Sequence, residues 1–175
     1  MTQISAVESV LEVPFRGLAY LGAPHIVSDV ESTLAPYGVA EVDPAILSHI
    51  NKYRDLGYIA SFSLFTNKTN VDFVGTIAEQ LGGVPYFMPE DKSQRKPSPF
   101  LLERAMEATG SHPEETVVIG DKLTADIYAA RRAGAFAAFW VKRLGSSDHF
   151  GDRILRRPYE AIRRPYYSYH TKRRP

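Results

Sequence analysis

Short apolar runs alternate along the chain with longer segments in which apolar residues recur every three or four positions. Runs of the first kind are typical of buried strands, and segments of the second kind are typical of amphipathic helices. The apolar runs predict five strands, at residues 25–30, 58–65, 84–88, 116–119 and 136–141.

The segments between the runs carry helix start and stop signals. Asp43 and Pro44 form an N-cap followed by proline at the first helical position, and Gly57 ends the helix that they begin. Asn70 is a cap for a second helix, which runs to about residue 81. Two more helices are predicted, from Pro97 to Gly110 and from Thr124 to Ala133, which Gly134 closes.

This alternation predicts an α/β fold of right-handed βαβ units. The expected architecture is a three-layer, Rossmann-like fold: a five-stranded parallel sheet with helices on both faces. Ligands of such folds bind beyond the carboxyl ends of the strands. The residues that follow the strands are therefore the first candidates for chemistry.

Composition indicates an ordinary globular chain: of its 175 residues 44% are apolar and 23% are charged. The absence of cysteine excludes disulfides, thiolate metal sites and cysteine nucleophiles. No apolar run approaches the roughly 18 residues of a membrane helix, and the N-terminus lacks the pattern of a secretory signal. We expect a cytoplasmic protein, with peripheral contact to a membrane as an open alternative.

The C-terminal segment differs in charge from the rest of the chain. Residues 151–175 hold eight Lys or Arg and two Asp or Glu, a net charge of +6, so the remainder carries −5 of the overall +1. We therefore expect two parts, a domain of residues 1–150 and a basic, tyrosine-rich extension of residues 151–175. Arginine beside tyrosine over residues 153–175 suits an anionic membrane surface or nucleic acid, and a solvated tail is the simpler alternative. The oligomeric state is not indicated.

Candidate site residues follow the predicted strands: Asp29 and Glu31 after the first, Thr66 and Asn67 after the second, Lys96 in the loop after the third, and Asp121 and Asp126 after the fourth. Carboxylates that meet at one sheet edge repel each other unless a cation neutralises them, and oxygen ligands suit Mg²⁺. A cation, a lysine and a hydroxyl around an aspartate are what phosphoryl transfer requires. Turn capping is the structural alternative for the aspartates and Thr66, and Lys92 and Arg95 compete with Lys96.

Four motifs in this order resemble those of the haloacid dehalogenase superfamily of phosphatases. The first is Asp29-Val30-Glu31-Ser32-Thr33, similar to DxDxT; the others are Thr66-Asn67, Lys96-Pro97 and the segment GDKLTAD at residues 120–126. With the turn at residues 35–38 and the segment GSSD at residues 145–148, the chain resembles the class IIIA, YqeG-like branch, whose relatives include the mitochondrial phosphatidylglycerophosphate phosphatase.

The resemblance implies a role for each matched residue. Asp29 is the expected nucleophile, which forms an aspartyl-phosphate. Thr66, Asn67 and Lys96 are expected to bind the phosphoryl group. Mg²⁺ is the expected cofactor, held by Asp29, the backbone carbonyl of Glu31, Asp121 and Asp126.

Glu31 departs from the motif, which has aspartate as general acid and base at this position. Glutamate keeps the carboxyl group for proton transfer. Its extra methylene moves that group by about 1.5 Å, and a misplacement of about 1 Å can cost roughly a hundredfold in rate. Turnover therefore depends on how Glu31 is placed.

The spacing of the motifs leaves no room for a cap domain between Asp29, Thr66 and Lys96. In this superfamily a capless site implies an open cleft and a large or surface-bound phosphoester, with a phospholipid-head phosphate as one substrate hypothesis. We therefore expect a Mg²⁺-dependent phosphomonoester hydrolase. The alternatives are a non-catalytic or very slow phosphate- or partner-binding module, because of Glu31, and a domain placed on nucleic acid by its tail.

Overall fold

The structure is a computed structural model, and it describes residues 1–145 and 161–167. Six parallel strands form one sheet. They are β1 (Gln3–Val7), β2 (His25–Ser28), β3 (Ser61–Phe65), β4 (Tyr86–Phe87), β5 (Thr116–Gly120) and β6 (Ala137–Val141).

The sheet has the order β1-β6-β5-β2-β3-β4. The α/β fold with a parallel sheet is confirmed, but the expected number of five strands is wrong. The missed strand is β1, which pairs in parallel with β6 over its whole length, from Gln3 opposite Ala137 to Val7 opposite Val141. Its sequence QISAV alternates polar and apolar residues as an edge strand does, and it lacks the continuous apolar run of the inner strands.

Helices cover both faces of the sheet. They are α1 (Phe15–Tyr20), α2 (Pro44–Asp55), α3 (Val71–Gln80), α4 (Phe100–Thr109), α5 (Tyr128–Ala133) and α6 (residues 161–167), with short 3₁₀-helices at Val10–Glu12 and Pro113–Glu115 and a π-helix at Leu123–Ile127. The sequence pattern missed α1. Between β2 and the loop that carries Lys96, the chain forms α2, β3, α3 and β4.

Two predicted helix starts differ from the structure. The helix expected from Pro97 begins at Phe100, because Pro99 disfavours helical geometry at Ser98. The helix expected from Thr124 is a π-helical turn followed by α5, and this turn carries Asp126. Both differences lie beside candidate site residues.

The strands alternate their side chains between two cores. Ile26, Val117 and Ile119 belong to the core that packs against α1, α2 and α3. Val27 and Val118 belong to the core on the opposite face, which α4 and α5 cover. The inner strands are buried on both faces, which explains their continuous apolar sequence.

Part of the C-terminal extension packs on this second core. Arg164 on α6 lies over the Trp140 ring, 5.3 Å from its centroid, and donates a hydrogen bond to the backbone oxygen of Val7. Tyr167 meets Trp140 edge-on at 6.2 Å between ring centroids. Residues 146–160 and 168–175, which hold most of the predicted anion-binding tail, lie outside the described residues. Within the described ranges, no helix has the length and apolar character needed to cross a membrane.

We predict that Asp43→Ala lowers the free energy of unfolding by about 1 kcal/mol. Asp43 Oδ1 accepts hydrogen bonds from the first free N–H groups of α2, at Ala45 (3.0 Å) and Ile46 (3.1 Å). Urea unfolding followed by circular dichroism measures the change. Asp43→Asn keeps the acceptor and should remain close to the native value; equal losses in both variants would contradict the capping role.

Candidate active site

The candidate residues meet at the carboxyl ends of the strands, where the sheet changes direction of winding. Asp29 follows β2, and β2 lies between β5 and β3 in the sheet. Thr66 follows β3, and Asp121 follows β5. The chain therefore places these residues at the switch point of the sheet, the position at which open α/β sheets bind ligands.

Lys96 lies at the centre of the group. Its ammonium is 2.5 Å from Asp29 Oδ1, 2.6 Å from Asp126 Oδ1 and 3.2 Å from the backbone oxygen of Phe65, so all three of its hydrogens have acceptors. Lys96 is only 7% exposed, whereas Lys92 and Arg95, the two cations that compete with it in sequence, are exposed. Of these three cations, Lys96 is therefore the one that the structure buries against the candidate carboxylates.

The pKa values of this group reflect burial opposed by charge. Burial raises the pKa of the Asp29 carboxyl, Lys96 opposes this effect, and the negative charge of Asp126 adds to it. Burial alone would lower the pKa of the Lys96 ammonium, but Asp126 and Asp29 outweigh it and raise that pKa. The lysine is therefore held in its charged form by the carboxylates around it.

Asp121 is the carboxylate with the least compensation. Burial raises its pKa well above the usual range, and the charges of Asp126 and Asp29 raise it further. Both of its oxygens are buried, and neither accepts a hydrogen bond within the described residues. Arg143 Nε lies 2.7 Å from Asp121 Oδ2 as an ion-pair partner, without the alignment of a hydrogen bond.

These carboxylates fit a magnesium ion. One oxygen each from Asp29, Asp121 and Asp126 lies within 4.8 Å of the others. The two oxygens of Asp121 that lack hydrogen bonds are the strongest sign, because buried polar atoms otherwise have partners. An all-oxygen set of this charge is what Mg²⁺ prefers.

Asp126 resembles Asp29, whose Oδ1 binds Lys96 and whose Oδ2 accepts the Thr33 hydroxyl at 3.2 Å, in having protein donors on both oxygens. The Oδ1 of Asp126 binds Lys96, and its Oδ2 accepts the Lys122 N–H at 2.9 Å. Its direct contacts hold Lys96 and the turn after β5 in place.

Thr66 and Asn67 play different parts. Thr66 Oγ1 accepts the N–H of Lys68 at 3.1 Å, which leaves its hydroxyl hydrogen to donate. The Asn67 side chain donates to the backbone oxygen of Lys96 at 3.1 Å and accepts its N–H at 2.8 Å. This reciprocal pair, the Asn67–Lys96 clip, joins the loop after β3 to the loop after β4.

Glu31 lines the site but is tethered. Its Oε1 lies 2.7 Å from Lys68 Nζ and accepts the Gly38 N–H at 3.1 Å. Both side-chain hydrogen bonds that the structure gives Glu31 thus fall on one oxygen. Lys68 itself sits 4.0 Å from the centre of the Phe73 ring, which fixes it from the other side.

An open cavity of about 450 Å³ gives access to these residues. It is lined by Asp29, Glu31, Tyr37, Thr66, Asn67, Lys68, Thr69, Arg95, Lys96, Lys122, Ala125 and Asp126. The whole predicted group except Asp121 borders this space. Asp121 borders a second cavity of about 520 Å³, together with Trp140, Arg143 and Arg164.

Sequence reasoning missed three residues that contact the site: Lys68, Arg143 and Trp140. Trp140 Nε1 donates to the backbone oxygen of Asp121 at 2.9 Å. Lys68 directly follows the Thr66-Asn67 motif, so its place in the sequence could have predicted that it lies near the site. Arg143 and Trp140 are contributed by β6 and the loop after it, and no local pattern marks them.

Comparison with known proteins gives matches over short parts of the chain. Residues 93–147 match a family model described as HAD-hydrolase-like. The chain is 38% identical over 48 residues to glyceraldehyde 3-phosphate phosphatase of Pyrococcus furiosus, which is 27% of this chain and 20% of that protein. It is 46% identical over 53 residues to the ribonucleotide monophosphatase NagD of Escherichia coli K12, 30% of this chain and 21% of that protein.

The matched region thus spans about a fifth of the length of these curated relatives. Among solved structures, CbbY from Rhodobacter sphaeroides superposes with a TM-score of 0.52 at 16% identity, covering 67% of this chain and 85% of that chain. This likeness concerns the fold alone.

We predict that Gly120→Ala disrupts the site, because the added Cβ would lie 2.3 Å from Asp126 Cβ and 2.5 Å from its Cγ. Unfolding free energy should fall by about 1–3 kcal/mol. Gly75→Ala is the matched control: its Cβ finds nothing closer than 3.9 Å and lies within α3, so it should stabilise by about 0.5–1 kcal/mol. A neutral Gly120→Ala in thermal unfolding would contradict the close packing of Asp126.

Proposed function

We propose that this chain belongs to the haloacid dehalogenase-like (HAD-like) superfamily, which the short matches support, and that it is a Mg²⁺-dependent phosphomonoesterase that works through an aspartyl-phosphate on Asp29. The observation that carries this proposal is the contact of one buried lysine with two carboxylates from different loops, at 2.5 Å and 2.6 Å. Beside them lies Asp121, whose buried oxygens accept no hydrogen bond within the described residues. A nucleophile, a cation and a set of oxygen ligands are the parts that phosphoryl transfer needs. The matched relatives, both named as phosphatases, support the reaction class.

Asp29, Asp121 and the backbone carbonyl of Glu31 would hold Mg²⁺, together with Asp126 directly or through water. When bound, Mg²⁺ supplies charge neutralisation for the phosphoryl oxygens. Lys96 adds a fixed positive charge beside Asp29. Burial of this group keeps water from weakening those interactions.

In the first half-reaction the Asp29 carboxylate attacks phosphorus, and the bond between phosphorus and the ester oxygen breaks. The Thr66 hydroxyl donates to a phosphoryl oxygen, and the Asn67–Lys96 clip keeps Thr66 and Lys96 on adjacent walls. The departing oxygen takes a proton from Glu31 through Oε2, the oxygen on which no described hydrogen bond falls.

In the second half-reaction water attacks the phosphorus of the aspartyl-phosphate. Glu31 accepts the proton of that water, and the bond between phosphorus and Asp29 breaks. Inorganic phosphate leaves, and both carboxyl groups return to their starting states. The cycle consumes one water and needs no other reactant.

The ion pair between Glu31 and Lys68 favours a second candidate, a very slow or non-catalytic phosphate-binding module. The Glu31 carboxylate lies 2.7 Å from the Lys68 ammonium, and this contact restrains the carboxyl group at one position. A misplacement of about 1 Å from the phosphoryl group can cost roughly a hundredfold in rate. In that case the site binds phosphate and Mg²⁺ but turns over little. The two candidates differ in rate and share the same site.

We predict that Asp29→Asn lowers hydrolysis of an aryl phosphate in Mg²⁺ by at least about a thousandfold, because the amide is a poor nucleophile. Asp72→Asn makes the same chemical change at an exposed position on α3 and should keep native activity. Glu31→Asp should raise kcat by about ten- to a hundredfold, since it restores the shorter carboxyl of the motif.

Release of the aryl alcohol, followed by absorbance, measures all three variants. Activity that survives Asp29→Asn contradicts the nucleophile. Absence of turnover in the native chain and in Glu31→Asp, together with binding of inorganic phosphate in Mg²⁺, supports the binding module in place of the enzyme.

We predict that Asp121→Asn weakens Mg²⁺ binding by at least about tenfold, because it removes the buried carboxylate that lacks hydrogen-bond partners. Isothermal titration of the folded chain with MgCl₂ measures the affinity without any substrate. Asp55→Asn, at the exposed end of α2, is the matched control. Equal affinity in Asp121→Asn and the native chain would place the metal elsewhere.

A further inference from the structure

We propose that Lys68 and Arg95 form a second anion site at the mouth of the 450 Å³ cavity. The substrate class that follows is a small phosphate monoester whose leaving group carries another anionic group, such as a carboxylate. This inference rests on the proposed function and specifies its substrate.

The Asn67–Lys96 clip joins the two loops that carry Lys68 and Arg95. Asn67 binds both the N–H and the carbonyl of Lys96, at 2.8 Å and 3.1 Å, so the two loops cannot separate without losing both hydrogen bonds. Lys68 is the residue after Asn67, and Arg95 is the residue before Lys96. Both line the same cavity. The clip therefore links the two loop segments that each bring one cation to this cavity.

Lys68 and Arg95 have N–H groups that can donate hydrogen bonds to an anion, whereas all three ammonium hydrogens of Lys96 are already used. The Lys96 ammonium uses its three hydrogens on Asp29, Asp126 and the Phe65 carbonyl. Lys68 gives one hydrogen to Glu31 and keeps two. Arg95 is exposed and forms no ion pair with any residue that the structure describes.

The chemistry of the cavity wall also favours a charged leaving group. Ala125 is the sole residue with a wholly apolar side chain among the described residues that line it. An acyl chain would find little apolar surface there. Carboxylate and phosphate oxygens, by contrast, match the fork of an arginine and the ammonium of a lysine. The polar wall therefore disfavours the phospholipid-head substrate that the resemblance implies.

The test compares two esters of equal length, 3-phosphoglycerate and glycerol 3-phosphate, which differ in a carboxylate that replaces a hydroxymethyl group. With Mg²⁺ present, the native chain should show a kcat/KM for 3-phosphoglycerate about tenfold higher or more. Arg95→Gln should remove most of that ratio, and Arg95→Lys should restore part of it. Lys92→Gln, an exposed cation of the same loop that does not line the cavity, should keep the native ratio.

Equal kcat/KM values for the two esters in the native chain would contradict the second anion site. If the native chain still hydrolyses an aryl phosphate, that result would not contradict the proposed phosphatase activity. A native ratio retained in Arg95→Gln would also overturn the second anion site. If no ester is hydrolysed, the proposed function has failed, and calorimetric binding of the two esters to the Asp29→Asn chain, with and without Arg95→Gln, decides the anion site separately.

Discussion

The buried contact of Lys96 with Asp29 and Asp126 is the interaction on which the rest of the site depends. Three carboxylates that gather in a space of a few ångströms would drive the loops apart without a positive charge between them. Removing one partner of such a buried pair leaves an uncompensated charge and typically costs about 3–5 kcal/mol. Lys96 offsets part of the negative charge of Asp29 and Asp126, and Arg143 forms an ion pair with Asp121.

The parallel sheet and the position of the site were predictable because both follow from local sequence. Continuous apolar runs predict strands buried on both faces, and Asp43 and Asn70 begin helices where the caps indicate. Since parallel strands present their carboxyl ends at one edge, the order of Asp29, Thr66 and Asp121 along the chain was enough to bring them together.

The features that sequence could not give depend on partners distant in the chain. β1 is an edge strand whose identity comes from pairing with β6, more than 130 residues later. The tether on Glu31 comes from Lys68, and the pairing of Asp121 with Arg143 comes from the loop after β6. The Asn67–Lys96 clip is likewise a contact between two loops. In each case the local residues allow several conformations, and packing selects one.

The contact of Trp140 with Asp121 places a fluorescent side chain beside the candidate site. The chain contains one tryptophan, and its indole N–H donates to the backbone oxygen of Asp121 while Arg164 and Tyr167 of α6 cover its ring. The indole thus stands between the acidic group and the basic C-terminal helix. Its ultraviolet emission comes from a single known location, so fluorescence of the unlabelled chain can be used to probe the surroundings of Asp121 and the packing of α6.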